Sequence, residues 1–147
     1  MSVEIVNQQS LPMDEPRIEE VARRTAEAEG ALGELSILLV DAVRMAELNI
    51  EWMGGEGPTD VLAFPVDGLV TETPEHPVVI GEVILCPQVA DDQAAEEGLG
   101  DLAAELDLLV AHGVLHLLGH DHDTEEAAER MRVRERAVTG RAGARAS

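Results

Sequence analysis

The chain has 147 residues, the size of one domain, and is long enough to bury roughly 70% of the surface that its unfolded form exposes. Thirty acidic residues against ten basic ones give a formal charge of −20, which favours solubility and repels polyanions at long range. With one Trp, one Phe and no Tyr, the composition nearly excludes a surface that binds nucleic acid by stacking bases on aromatic rings.

The sequence carries no pattern typical of export or membrane insertion. Cys86 is the only cysteine, so an intramolecular disulfide is excluded, and we expect this residue to pack as a small apolar side chain. The first ten residues lack the basic and apolar segments of a secretory signal, and no apolar run approaches the roughly 18 residues that span a bilayer. We therefore expect a cytoplasmic protein with no membrane partner.

Every basic residue is an arginine, and six of the ten lie in the last eighteen residues. They are Arg130, Arg132, Arg134, Arg136, Arg141 and Arg145. Because glutamates precede them, the cluster is typical of a solvated helix whose charges complement the helix dipole. A patch that contacts phosphate is the alternative interpretation.

Apolar periodicity and the positions of glycine and proline divide the chain into nine predicted elements. Short β-prone or apolar runs predict strands at residues 3–7, 35–40, 61–64 and 78–86. Helical spacing predicts helices at residues 17–29, 41–49, 88–97 and 102–118, and a last helix that runs to about residue 138. The predicted loops are residues 53–60 and 67–77. We expect one domain at residues 1–138 and a frayed tail at residues 139–147.

Particular residues are predicted to shape the ends and irregularities of these elements. Asp41 is placed to cap the second helix, and Gly81 predicts a bulge inside the fourth strand. Gly119 follows the fourth helix as its C′ residue, where a glycine lets the chain turn away. Asp123, with Glu126 three residues later, is expected to cap the last helix.

Four of the five histidines lie in the string HGVLHLLGHDH, residues 112–122. His112 and His116 are four apart on a predicted helix, so their imidazoles project from one face and are close enough to share an ion. The turn at Gly119 can bring His122 back toward the pair. Three neutral imidazoles leave a fourth tetrahedral position for water, which is the arrangement of a catalytic zinc site rather than a structural one.

The polar residues of this region also have alternative roles. Histidines on such a helix can also be surface or satisfied core residues, but three at this spacing favour a metal site. His120 is a candidate for an alternative ligand or for a hydrogen bond to a ligand, and His76 is expected to be an ordinary surface residue. Asp121 and Asp123 could orient a ligand imidazole through its second N–H, although capping is the preferred role of Asp123.

The histidine spacing also occurs in the metzincin proteases, whose signature is H-E-x-x-H-x-x-G-x-x-H. This chain has Gly113 where those proteases have the glutamate that activates water. The resemblance therefore supports a metal site but disfavours peptidase activity.

The chain resembles the YbeY family of bacterial rRNA maturation factors over most of its length. The resemblance rests on HGVLHLLGHDH, on LNIEWMGGEGPTDVLAFP at residues 48–65 and on GEVILCP at residues 81–87. It implies an α/β metal-dependent hydrolase fold, with a small mixed four-stranded sheet flanked by about five helices. It implies that His112, His116 and His122 bind one zinc ion per chain and form the catalytic site.

Two positions depart from the pattern of that family. Many members have an arginine that faces the metal cleft and the RNA phosphate, and this chain has Met53 there. A thioether cannot replace a guanidinium that pairs with two phosphate oxygens, so Arg44 or an arginine near Arg130 is a candidate for that contact. Glu82 stands where similar proteins have aspartate, and we expect Met53 and Glu82 to lie at the cleft.

The resemblance further implies a single-strand-specific endoribonuclease linked to 16S rRNA 3′-end processing and ribosome quality control. The expected partners are single-stranded RNA or rRNA and the ribosome or its small-subunit proteins, with no role for DNA. A metal-activated water would attack the phosphodiester. Because the net charge opposes RNA binding, a zinc-stabilised assembly factor that binds a basic ribosomal protein is the alternative, and a zinc peptidase is the third.

Overall fold

The computed structural model describes residues 2–31, 33–65, 79–96, 101–120 and 123–139. Within these residues the order of elements agrees with the predicted order of four strands and five α-helices. The strands are β1 (Ser2–Gln8), β2 (Glu34–Val40), β3 (Val61–Pro65) and β4 (Val79–Leu85). The helices are α1 (Glu15–Ala28), α2 (Ala42–Leu48), α3 (Pro87–Glu96), α4 (Leu102–Leu117) and α5 (Glu125–Thr139).

The four strands form one mixed sheet in the order β1-β2-β4-β3. The β1–β2 and β2–β4 pairs are parallel, and β3 runs antiparallel to β4. Consequently β1 and β3 are the edge strands, and one edge of β3 has no neighbouring strand among the described residues. This arrangement confirms the predicted small mixed sheet.

The fourth strand contains the predicted bulge. Glu34 lies opposite Val79, whereas Leu35 lies opposite Gly81, so Ile80 is an extra residue on β4. Gly81 has φ +151°, a backbone conformation that side chains disfavour. The glycine therefore allows β4 to bend between its two neighbouring strands.

Helix α4 forms the centre of the layer on one face of the sheet. Thirteen of its sixteen residues are buried, because α1, α3 and α5 pack around it and the sheet lies beneath it. The core on this face combines α4 with apolar side chains of α1, β2 and β4, including Val21, Ile37, Val83 and Val110. Asp101 caps α4 by accepting the N–H of Ala104 at 3.2 Å.

The other face of the sheet has a smaller apolar cluster, which α2 covers. Its buried members are Val40, Met45, Leu48, Leu62, Ile84 and Cys86. Cys86 is fully buried as predicted, and this burial raises the pKa of its thiol. Asp41 caps α2 as predicted, with its carboxylate accepting the N–H of Arg44 at 2.8 Å.

The segment after α2 differs from the prediction. A π-helical turn, Asn49–Met53, continues the helix through the start of the predicted loop. The side-chain amide of Asn49 donates to the carbonyl of Gly57 at 3.0 Å, and the backbone carbonyl of Asn49 accepts the N–H of Gly55 at 3.1 Å. These two bonds fold the glycine-rich segment back on Asn49, so Met53 has a defined position.

The cap of α5 is also corrected. The hydroxyl of Thr124 accepts the N–H of Ala127 at 3.1 Å, and the carbonyl of Thr124 accepts the N–H of Ala128. Because α5 begins at Glu125, Thr124 occupies the N-cap position that the sequence assigned to Asp123. A threonine performs the same capping role as an aspartate, so composition alone does not distinguish these neighbours.

Some predictions concern residues outside the described part of the chain. They are the loop at residues 67–77, the end of α3 at Gly98 and the tail beyond residue 139. The described elements pack around one sheet. None of the helices in the described part is long and apolar enough to cross a membrane.

Candidate metal centre

The structure brings His112 and His116 together near the C-terminal end of α4. Their ring centroids are 4.9 Å apart and their planes are inclined by 77°. The spacing of four residues places both rings on one face of the helix, as predicted. His112 is buried and His116 is half-buried, so the pair lies at the boundary between core and solvent.

The chain turns sharply directly after this pair. Gly119 has φ +99°, its N–H donates to the carbonyl of His116, and the N–H of His120 donates to the carbonyl of Leu115 at 3.0 Å. These bonds form a Schellman motif, which confirms Gly119 as the C′ residue. The third predicted ligand, His122, lies outside the described residues, as does Asp121. The complete ligand set therefore stays a prediction.

A cleft of about 250 Å³ opens beside the two histidines. One wall is α4 and the other is the edge strand β3, with Met53 at the end of the π-helical turn. The lining residues are Met53, Val61, Leu62, Ala63, His112, Gly113 and His116. Met53 therefore lies where the sequence placed it, and no arginine is among the described lining residues.

Glu82 does not lie in this cleft, and the prediction for it is wrong. It lines a groove on the opposite face of the sheet with Trp52, Phe64 and their apolar neighbours. Side chains alternate between the two faces along a strand, and the next residue, Val83, is the one that faces α4. Sequence similarity identified the strand correctly but not the face on which the carboxylate lies.

The structure adds a residue that the sequence analysis missed. Glu135 of α5 lies with Oε1 at 2.8 Å from Nδ1 of His112, and the two side chains are only 1% and 7% exposed. Glu135 stands between Met131 and Val138 in the buried stripe of α5. A glutamate at an apolar position of an amphipathic helix was the signal in the sequence, since such a carboxylate needs a buried partner.

His120 is held by a different carboxylate. Its Nε2 lies 2.6 Å from Oε1 of Glu29, and the other oxygen of Glu29 accepts from Arg134 at 2.7 Å. This cluster ties the ends of α1 and α4 to α5. It directs His120 to α1, whereas His112 and His116 line the cleft. Asp123 is exposed just before α5, and its proposed action on a ligand stays untested.

The arginines considered for phosphate binding lie on other surfaces. Arg44 is half-exposed on α2 and lies 3.9 Å from Glu47. On α5, Arg132 pairs with Glu129 at 2.9 Å, and Arg130 lies beside them in a shallow surface depression. These pairings fit the interpretation of the arginine cluster as a solvated helix.

Gly113 lies where α4 approaches the sheet most closely. A Cβ atom at this position would be 2.8 Å from Cγ1 of Val83 and 3.3 Å from Cγ2 of Val61. Both neighbours are β-branched side chains with restricted rotamers, and Val83 is also fully buried, so they have little freedom to move. The position that holds glutamate in metzincins therefore has no room for a side chain here.

Gly113→Ala is consequently expected to lower the free energy of unfolding by about 1 kcal/mol, because overpacking outweighs the better helix propensity of alanine. Chemical denaturation measures this change. In a double-mutant cycle with Val83→Ala, the second substitution should relieve part of the loss. A more stable Gly113→Ala variant would contradict the close packing.

Fold and site together define a class of protein: an α/β protein whose central helix presents a His-x3-His pair to a cleft beside an edge strand. The family model described as Endoribonuclease YbeY matches residues 4–143. A relative named Endoribonuclease YbeY from Salinispora tropica is 48% identical over 141 residues, which cover 89% of each chain. Another, from Thermobifida fusca, is 42% identical over 146 residues, which cover 95% of this chain and 94% of the relative.

A solved structure shows the same fold. The solution structure of TM1509 from Thermotoga maritima has a TM-score of 0.62 and 27% identity, and the match covers 94% of this chain and 89% of that chain. The chain belongs to the endoribonuclease YbeY family. The resemblance, the α/β fold and the enzyme class that the sequence predicted are therefore confirmed.

Proposed function

We propose that this protein is a zinc-dependent endoribonuclease that cleaves single-stranded RNA in the cytoplasm. Its proposed role is the maturation of the 3′ end of 16S rRNA and ribosome quality control, in contact with the small subunit. The observation that carries the proposal is the histidine pair in the cleft of a chain that matches the family over residues 4–143.

The described part of the site fits a zinc ion. Neutral imidazoles suit zinc, and His112 and His116 lie at a spacing that allows both to bind one ion, with His122 as the proposed third ligand. When bound, zinc lowers the pKa of a water toward about 7 and polarises a phosphoryl oxygen. With the carboxylate of Glu135 at Nδ1 of His112, Nε2 is the ring nitrogen that would bind the metal.

The size of the cleft suits one phosphodiester of a single strand. Its volume is that of a small ligand site, and β3 and α4 wall it on two sides. A single strand can place one phosphodiester between these walls, whereas a duplex keeps its phosphates on a wide, stiff cylinder. Since no arginine lines the described cleft, we expect the metal to supply most of the charge that faces the phosphate.

The charge of the protein favours a second candidate function. A formal charge of −20 repels RNA and attracts basic proteins, which fits a zinc-stabilised assembly factor that binds a ribosomal protein without cutting RNA. The third candidate, a zinc peptidase, is disfavoured because Gly113 stands where metzincins have the glutamate that activates water and leaves no room for one.

An RNA cleavage assay distinguishes these functions. The purified protein with one equivalent of zinc is incubated with a single-stranded RNA and with the corresponding duplex, beside His116→Ala purified identically. We expect cleavage of the single strand only, loss of cleavage with a chelator, and recovery when zinc is restored. Equal cleavage by His116→Ala would reveal a contaminant and refute the nuclease.

Two other results would support the alternatives. Salt-sensitive binding to ribosomes without RNA cleavage by the zinc-loaded protein would favour the assembly factor. Cleavage of casein that requires zinc would favour the peptidase.

A further inference from the structure

Glu135 and His112 form a contact that neither the fold nor the helix packing requires. The carboxylate oxygen and Nδ1 are 2.8 Å apart, and the side chains are almost fully buried between α4 and α5. An apolar side chain would complete the buried stripe of α5 without the cost of removing a carboxylate from water. The presence of glutamate at this position therefore needs an explanation beyond packing.

The chemistry of the contact selects one form of the imidazole. An ionised carboxylate only accepts hydrogen bonds, so beside an ionised Glu135 the Nδ1 atom of His112 carries the proton and donates it. In the neutral ring, Nε2 then carries the lone pair that can accept a hydrogen bond or bind a metal. That nitrogen lies on the side of the ring away from Glu135, and the ring lines the cleft next to His116.

We propose that Glu135 is a positioning residue of the metal centre. It holds the His112 ring in one orientation and one tautomer before any metal binds, so that Nε2 is ready to act as a ligand. Its negative charge, buried close to the site, also strengthens the binding of a divalent cation through the intervening ring. This inference rests on the proposed metal site, and it adds a residue 23 positions beyond His112 in sequence.

The test compares Glu135→Leu and Glu135→Gln with the parent protein. Nitrogen-15 NMR of the metal-free proteins reports the tautomer of His112, assigned with a His112→Ala variant. Competition with a chromogenic chelator reports the affinity for zinc. For Glu135→Leu we expect loss of the Nδ1-protonated form and a decrease in zinc affinity of about 10- to 100-fold.

Glu135→Gln removes the negative charge of the side chain while leaving its size nearly unchanged. Its amide oxygen can still accept from Nδ1, so we expect it to retain the tautomer and to lose less zinc affinity than Glu135→Leu. If Glu135→Leu does not fold, Glu135→Gln decides the question. Zinc affinity below that of the parent supports the proposal, and parental zinc affinity overturns it.

Asp107→Asn is the matched control. Asp107 is also a carboxylate on α4 with a side chain only 12% exposed, and it pairs with Arg17 of α1 at 2.7 Å. Its substitution should lower stability without altering the tautomer of His112 or the zinc affinity. If the Glu135 variants behave in the same way, Glu135 is a packing contact and the proposal is wrong.

The outcome is separate from that of the nuclease assay. A parent that binds zinc but cleaves no RNA would refute the proposed nuclease and leave the role of Glu135 intact. If the parent cleaves RNA with zinc and neither Glu135 substitution changes the zinc affinity, the proposed nuclease is supported and the proposed role of Glu135 is refuted. A parent that binds no zinc would overturn both.

Discussion

His116→Ala is expected to abolish tight zinc binding and to lower the rate of single-strand RNA cleavage by at least about a thousandfold, or about 4 kcal/mol in the activation barrier. The substitution leaves His112 with the proposed ligand His122, and two imidazoles do not retain zinc as three do. Without the metal, the site would lose the activation of water and the positive charge that zinc would supply to the phosphate.

Metal analysis, RNA cleavage and thermal unfolding check this expectation. Zinc at a hundred times its dissociation constant should stabilise the parent by about 2.7 kcal/mol and leave His116→Ala unchanged. His76→Ala is the matched control, because His76 lies outside the predicted ligand set, and it should behave as the parent. One retained zinc per chain with full cleavage in His116→Ala would contradict the proposed site.

Gly81→Ala is expected to lower the free energy of unfolding by about 3 kcal/mol, through positive φ and steric overlap together. A Cβ atom there would lie 2.5 Å from the carbonyl oxygen of Phe64 and 3.0 Å from Cα of Pro65. These are backbone atoms of β3, so they cannot move without changing the pairing of β3 with β4. The strand that walls the cleft would shift as a result.

Urea denaturation of Gly81→Ala and Gly30→Ala separates the two contributions. Gly30 also has positive φ, at +70°, but an added Cβ there meets nothing within 4 Å. Gly30→Ala should therefore cost only about 1 kcal/mol, the conformational part alone. Equal losses in the two variants would mean that the close approach of β3 at Gly81 is not important.

Local patterns in the sequence predicted the features that depend on neighbouring residues. The strand and helix order follows from apolar spacing, and the pairing of His112 with His116 follows from the helical repeat. The bulge at Gly81 and the helix end at Gly119 were predicted because both features need backbone conformations that glycine adopts most easily. Similarity in three segments then identified the family.

Several features depended on contacts that local patterns do not contain. Both Thr124 and Asp123 are residue types that cap helices. Thr124 caps α5 because the helix begins at the next residue, Glu125. The π-helical turn that fixes Met53 depends on the bonds of Asn49 to Gly55 and Gly57. In both cases the predicted region was correct, and only the position of the helix end within it differed.

The largest differences concern the two glutamates. Glu82 was expected at the cleft and lies on the other face of the sheet, whereas Glu135 was not expected and touches His112. The sequence by itself determined that α4 carries a histidine pair. Only the tertiary structure decided which carboxylate meets it, because the packing of α5 against α4 joins residues that no helical or strand repeat relates.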